Sequence, residues 1–256
     1  MLPILFSWGP FTLRSYGLMV ATGFGLAIYL AWRRARQEGI DPERFLDMTL
    51  WVMIAGLAGA RLLYVIVSWR DYAAAPLDAL KFWQGGLVFY GGFICALLVM
   101  ILYCRLRGLP LWKVLDLSAP YTALGHAVGR IGCFLNGCCY GPPNAACGVI
   151  FPALEDHTPR LPIQLFESAF LLLLFFGLLW LRRRRRFDGQ MAWVYVFAYA
   201  LGRFILEYFR GDEIRGLWTP LAFSTSQLIS LAAMAAAAGF YLYLQRRALR
   251  ATLPSL

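Results

Sequence analysis

Charged residues are scarce in this chain. Asp, Glu, Lys and Arg supply only 15% of 256 residues, and histidine occurs twice. With 60% of the sequence hydrophobic, that is too little polar surface to clothe a soluble domain, and the composition points to an integral membrane protein. Acidic residues are the rarest charged class, 14 against 24 basic ones. The basic excess sits in short clusters between apolar runs instead of forming a stripe, which excludes nucleic acid as a partner. Low-complexity tracts, internal repeats and the Gly/Pro period of fibrous proteins are also missing. Six cysteines are too few for a small disulfide scaffold, although four fall between Cys133 and Cys147.

What is present is a series of apolar runs, and about 20 such residues are needed to cross a bilayer as a helix. Seven candidates run approximately Tyr16–Trp32, Thr49–Trp69, Leu87–Cys104, Leu115–Phe134, Ile163–Leu181, Met191–Phe209 and Gln227–Leu244. The fourth is the weakest, because Asp116, Pro120 and His126 interrupt it. Alternate loops carry Arg33, Arg34, Arg36 and Arg44; Arg105, Arg107 and Lys113; Arg182 to Arg186; and Arg246, Arg247 and Arg250. The opposite loops carry only Arg14, Arg70, Lys81, Arg160, Arg210 and Arg215. Basic residues accumulate on the cytoplasmic side, so the N-terminus is expected outside (periplasmic) and the C-terminus inside, with the fourth span needed for the alternation. The five-arginine run then touches anionic headgroups on the inner face.

The expected architecture is an all-α integral membrane protein, one seven-helix domain over residues 1–256. Residues 1–15 lack a basic n-region and a small-residue cleavage site; Leu2, Ile4, Leu5, Phe6, Trp8 and Phe11 make them an outer interfacial segment. Residues 135–162 form a periplasmic loop rich in Cys, Pro and Gly.

Three arginines, Arg61, Arg130 and Arg203, fall inside or at the ends of spans. Each costs roughly 2.5 to 3.5 kcal/mol at mid-bilayer unless it faces a cavity or a partner. Glu207 follows Arg203 by four residues on one helical face, and Gln164 and Glu167 stand at the outer start of the fifth span. Arg203 with Glu207 reads either as an internal ion pair or as part of a site. Three guanidinium groups against few carboxylates leave positive charge that a lipid phosphate would neutralise, which favours a phospholipid ligand.

The segment from Gly125 to Asn144, GHAVGRIGCFLNGCCYGPPN, packs Arg130, Asn136 and Tyr140 among glycines that let a backbone approach a ligand. Its core, GRIGCFLNGCCYG, resembles the signature of the bacterial prolipoprotein diacylglyceryl transferases. Other pieces agree in order: the opening ILFSWGPFTLRSYGLMVATGF with Tyr16, GARLLYV with Arg61 and Tyr64, QGGLVFYGGF with Tyr90, PIQLFES with Gln164 and Glu167, and GRFILEYFRGD with Arg203 and Glu207. The likeness spans almost the whole chain.

The resemblance implies transfer of the diacylglyceryl group of phosphatidylglycerol to the lipobox cysteine of a prolipoprotein signal peptide in the bacterial inner membrane. Glycerol phosphate is released, and no metal or cofactor is implied. Residue by residue it places Arg130, Arg203, Glu207 and Tyr16 in catalysis, and Arg61, Tyr64, Tyr90, Asn136, Gly141, Gln164 and Glu167 in substrate binding. Departing phosphate gathers charge that Arg130 and Arg203 would stabilise in the transition state. Taking the acceptor thiol's proton calls for a base or a positive field, and the sequence leaves that group open.

Two features depart from the family pattern. Its histidine is Tyr90 here, a poor base at neutral pH, and an Asn and a Glu of its core motif are Cys133 and Cys138. Three readings follow: structural disulfides among Cys133, Cys138, Cys139 and Cys147; a paralogue with another acceptor or a covalent cysteine; or a thiol-redox or metal site. A non-catalytic lipid-binding or lipoprotein-binding protein on the same frame is the rival class. Adjacent Cys138 and Cys139 are poor disulfide partners for each other. His126, four residues before Arg130, reads as packing or a hydrogen bond, with a direct catalytic role as the alternative now that Tyr90 stands in place of the family's histidine, and His157, beside Glu155 and Asp156, reads as solvated.

Overall fold

The computed structural model describes residues 3–8, 11–72, 76–81, 85–152, 154, 157–210, 217–218 and 223–252. Leu2, Glu155, Asp156, Asp212 and Arg215, and the side chains of Trp8 and Phe11, lie outside that set. The element order is β1 (Ile4–Trp8), β2 (Phe11–Arg14), α1 (Ser15–Ala35), α2 (Pro42–Val67), α3 (Trp69–Tyr72), α4 (Phe89–Arg107), α5 (Leu111–Asn136), α6 (Ile163–Arg182), α7 (Gln190–Glu207), β3 (Leu217–Trp218), β4 (Phe223–Ser224) and α8 (Thr225–Thr252).

Five helical stretches are long and apolar enough to cross a membrane: Ser15–Glu38, Pro42–Val67, Phe89–Arg107, Ile163–Arg182 and Thr225–Arg250. The fourth and sixth expected spans are also helical, as α5 and α7. Composition alone does not place them among the five, because polar groups punctuate both. Many large apolar side chains on the spans face outward, Leu50, Ile54, Leu62 and Ile66 of α2 among them, as a lipid-facing surface requires.

The N-terminal segment is a hairpin. β1 and β2 pair antiparallel, with Ile4, Leu5, Phe6 and Leu13 exposed. With the short β3–β4 pair, this hairpin is a small departure from an all-α expectation.

The Cα positions group into two compact units, Met1–Ala31 with Leu115–Leu256, and Trp32–Val114. In the first unit, α1 and α5 meet through glycine. A Cβ on Gly23 would lie 2.6 Å from the Gly125 carbonyl, so only bare backbone permits this approach. Ser168 of α6 donates to the Ala127 carbonyl of α5 at 2.9 Å. Trp193 of α7 stacks on Phe240 of α8 with centroids 4.7 Å apart.

Asp116, read from sequence as an interruption, has a structural task in that unit. It is fully buried, and its carboxylate accepts from the Gly189 and Ala192 N–H groups at 2.8 and 2.9 Å. It thus caps α7, whose own Gly189 offers no side chain for the purpose. Arg185 stands 3.8 Å from the same carboxylate.

The second unit is built on α2 against α4, again through small residues. A Cβ on Gly59 would lie 2.5 Å from Cys95, and one on Gly91 would lie 2.3 Å from the Gly59 carbonyl. Cys95 therefore packs as a small group in this seam, and Cys104 lies buried 3.8 Å from the Met48 sulfur.

Candidate functional site

The end of α5, the start of α6 and the end of α7 bring the polar residues of the first unit together. Arg130, on the penultimate turn of α5, donates through Nη2 to Glu167 Oε2 of α6, and Glu167 is 1% exposed. Arg203 Nη2 lies 2.7 Å from Glu207 Oε2 on α7. The ion pair read from the i,i+4 spacing is therefore present, and Arg130 has a carboxylate of its own.

Neither pairing consumes the whole guanidinium. Arg130 Nε and Arg203 Nη1 are buried N–H donors that make no hydrogen bond among the described residues. Buried donors of this kind cost about 1–3 kcal/mol each when unmet. Two such donors, each on a cation already anchored by a carboxylate, suit an oxyanion better than another side chain.

His126 joins the group. Its Nε2 is 3.8 Å from Glu167 Oε1, an electrostatic contact beyond hydrogen-bond length, and its ring lies 5.2 Å from that of Tyr199 on α7. His126 and Tyr199 both feel the charges of Glu167, Arg130 and Arg203, which places the five side chains in one neighbourhood. About a third of the His126 side chain is open, against almost none of Glu167. Sequence reasoning missed Tyr199. The signal was there: Tyr195, Tyr199, Arg203 and Glu207 recur every four residues and form one polar stripe on α7.

Several expected binding residues support the site from behind. Gln164 is fully buried and donates to the Cys138 carbonyl at 2.6 Å. Gly141 is wedged where a Cβ would lie 2.8 Å from Ile163 and 2.9 Å from Leu161, and its N–H donates to the Leu161 carbonyl at 2.8 Å. Together they fasten the loop after α5 to the start of α6. Val149 and Arg160 exchange backbone bonds, Phe151 is fully buried against Phe134, and Arg160 lies over the Tyr140 ring.

Cys133 lies 3.8 Å from Arg130 Nη1, and the Cys133, Cys138 and Cys139 sulfurs are within 4.8 Å of one another. Cys147 is exposed and does not belong to that group. Tyr16, at the start of α1 and half-open, has the three thiols and Arg130 as electrostatic neighbours, and Asn136 hydrogen-bonds Cys138. Hydrogen bonds from Cys133 and Cys138 hold the Cys139 thiol well below its ordinary pKa, and Arg130 and Arg210 push the same way.

The remaining named residues belong to the second unit. Arg61 is buried, and its fork is spent on backbone: Nε donates to Ala79 at 2.8 Å, Nη1 to Gly85 at 2.7 Å and Gly86 at 3.2 Å, and Nη2 to Asp78 at 2.9 Å. The guanidinium also lies 5.5 and 5.4 Å from the Tyr64 and Tyr72 rings. Carbonyl oxygens thus supply Arg61 with the compensation that acidic residues do not. Tyr64 packs against Gly86, where a Cβ would come within 2.4 Å of its ring and where φ is +74°. Tyr90 opens α4 and is 48% exposed.

An apolar cleft of about 360 Å³ between α7 and α8, lined by Trp193, Phe197, Ala237 and Tyr241, contains none of these side chains.

Residues 3–243 match the family model described as prolipoprotein diacylglyceryl transferase. The chain is similar to the phosphatidylglycerol–prolipoprotein diacylglyceryl transferase of Clostridium tetani, 38% identical over 235 residues that cover 90% of this chain and 93% of that protein. It is likewise similar to the enzymes of that name from Synechococcus elongatus, 36% identical over 83% of this chain and 78% of that one, and from Nostoc sp., 32% identical over 99% and 93%.

Proposed function

The chain belongs to the prolipoprotein diacylglyceryl transferase family, and on that premise we propose that it moves the diacylglyceryl group of phosphatidylglycerol onto the lipobox cysteine of a prolipoprotein signal peptide. The enzyme is a transferase. The thiol sulfur forms a bond to the phosphate-bearing carbon of the diacylglyceryl moiety, that carbon's C–O bond to phosphate breaks, and the headgroup leaves as glycerol phosphate. The displacement changes no oxidation state and needs no redox or group-carrying cofactor.

The observation that carries this reading is the pair of half-used guanidinium groups. Arg130 and Arg203 are each held by a carboxylate, Glu167 and Glu207, and each keeps a buried N–H in reserve. The leaving phosphate gains a negative charge as the C–O bond breaks, so donors fixed in advance favour the transition state over the bound lipid. Tyr16 and Asn136 border the same region as further hydrogen-bonding groups for the headgroup. His126, about a third open beside Glu167, is our assignment for the acceptor thiol's proton.

The fine arrangement we propose has seven spans, α5 and α7 completing the five apolar stretches. The N-terminus is periplasmic, the C-terminus is cytoplasmic, and the site opens toward the outer leaflet of the bacterial inner membrane. Fifteen basic residues in one set of loops against six in the other support this orientation. The β1–β2 hairpin, with Ile4, Leu5, Phe6 and Leu13 exposed, suits the outer interface.

The test is transfer of radiolabelled diacylglyceryl from phosphatidylglycerol to a synthetic lipobox peptide by the purified protein in detergent. Transfer by the unaltered chain and its loss in both Arg130→Ala and Arg203→Ala are expected. An unaltered chain that transfers nothing where a C. tetani relative is active overturns the reading.

A further inference from the structure

The cysteine cluster is not accounted for by diacylglyceryl transfer, whose thiol comes from the substrate. We infer that Cys133, Cys138 and Cys139 form a binding site for a thiophilic monovalent d10 cation, Cu(I) being the representative ion. The inference goes beyond the transferase reading and does not depend on it.

The backbone is folded to gather these sulfurs. Cys133 sits on the last turn of α5, and the chain turns back at Gly137, φ +79°. The Gly137 and Cys138 N–H groups both donate to the Cys133 carbonyl, at 3.0 and 3.2 Å. Cys139 then adopts φ +63°, one of only two non-glycine residues to do so among those described. The left-handed region costs a residue with a Cβ about 1–2 kcal/mol. The Cys138 carbonyl is held by Gln164, so the turn is fastened on both sides. The outcome is three sulfurs within 4.8 Å of one another. A metal–sulfur bond of about 2.3 Å places three trigonal ligands about 4 Å apart, so a small closing movement suffices.

The odd number of thiols separates this reading from a disulfide. Any pairing within the cluster leaves one sulfur over, and Cys138 with Cys139 is the pairing that adjacent residues accommodate worst. Cys147, the remaining thiol on this loop, is exposed and outside the group. The same number argues for the type of ion. Zinc in structural sites and iron–sulfur clusters take four protein ligands, whereas the group here offers three sulfurs and no histidine or carboxylate. Soft thiolates select soft cations, and a monovalent d10 ion is satisfied by three of them. Each sulfur binds as a thiolate, and any thiol that still carries its proton releases it to solvent as the cation is taken. The resulting complex is anionic, and Arg130, 3.8 Å from Cys133, offsets part of that charge. Cys133 is buried while Cys138 and Cys139 are half-open, so the ion has a route in from the loop side. Once bound, it clips the loop to the helix end that carries Arg130.

The experiment uses the full-length reduced protein in detergent, titrated with Cu(I) in competition with bathocuproine disulfonate. One Cu(I) per chain is expected, with three sulfur neighbours by X-ray absorption. Alkylation followed by peptide mass spectrometry should show Cys133, Cys138 and Cys139 protected by the ion and Cys147 unprotected. Cys138→Ser or Cys139→Ser should weaken binding on the order of a hundredfold, and Cys147→Ser should leave it unchanged. Coordination by two sulfurs, protection of only two of the three thiols, or unchanged affinity in Cys138→Ser overturns the proposal. Should the serine variants fail to fold, the protection pattern of the unaltered protein decides alone. None of these readouts uses transferase activity, so the two proposals fail separately.

Discussion

Arg203 Nη2 and Glu207 Oε2 stand 2.7 Å apart, one turn from each other on α7, with both side chains largely removed from solvent. A buried pair of this kind is weak evidence for stability as such, because desolvation offsets most of the attraction. Breaking it by removing one partner leaves an uncompensated charge and costs about 3–5 kcal/mol. Glu207→Ala should therefore lower thermal stability in detergent sharply. The double variant Arg203→Met/Glu207→Met should recover most of that stability and none of the activity. Melting curves run beside the peptide-transfer assay separate the two effects, and an active double variant removes Arg203 from the mechanism.

Arg130 should prove irreplaceable by lysine. Its guanidinium spends Nη2 on Glu167 and keeps Nε free, a division that an ammonium point charge does not reproduce. Arg130→Lys is expected to lower kcat by about 10²–10³, with a smaller change in KM for phosphatidylglycerol. Steady-state kinetics in mixed micelles check this, and a pure KM effect places Arg130 in ground-state binding alone.

For His126 the split should be cleaner still. His126→Ala is expected to reduce kcat by about 10²-fold and leave KM for phosphatidylglycerol unchanged, since the imidazole is assigned to the acceptor thiol and not to the lipid. Added imidazole restoring turnover would support the assignment. Full activity in the alanine variant returns His126 to a packing role against Tyr199.

Asp116 offers the opposite case, a buried carboxylate that the chemistry does not use. Asp116→Ala removes the acceptor for the Gly189 and Ala192 N–H groups and should cost about 2 kcal/mol of stability, with transfer per folded molecule unchanged. Loss of specific activity at full folding would show that the cap also sets the angle at which α7 presents Arg203.

The depressed pKa of Cys139 gives a prediction in pH. A thiol held low remains thiolate at neutral pH and loses reactivity only as pH falls through the depressed value. In the metal-free reduced protein, iodoacetamide should modify Cys139 before Cys138 at pH 6, with a rate nearly flat up to pH 8. A rate that climbs tenfold per pH unit over that interval would show an ordinary thiol.

What the sequence reveals of this molecule divides along local and non-local lines. The helices follow from apolar runs, and the Arg203–Glu207 pair follows from a four-residue spacing. Arg130 with Glu167 joins residues 37 apart, and the sequence offers Glu167 only as one candidate. The four carbonyls that hold Arg61 are backbone atoms, common to every residue type, so composition carries no trace of them. Asp116 looks like a flaw in α5 because its partners are N–H groups at the start of another helix. The hairpin at the N-terminus was marked only by the Gly9-Pro10 turn signal, because Ile4, Leu5 and Phe6 are apolar in succession and show no period-two alternation.

The Arg130–Glu167 pair also constrains how the chain is made. Arg203 meets its carboxylate four residues later, within the same turn of nascent helix. Arg130 emerges from the ribosome 37 residues ahead of Glu167, with the whole cysteine loop between them. An arginine that waits so long for its counter-charge gains most by entering the bilayer together with the helix that supplies it. Helices α5 and α6 should therefore integrate as a hairpin, and a chain halted before α6 is complete should hold α5 outside the lipid.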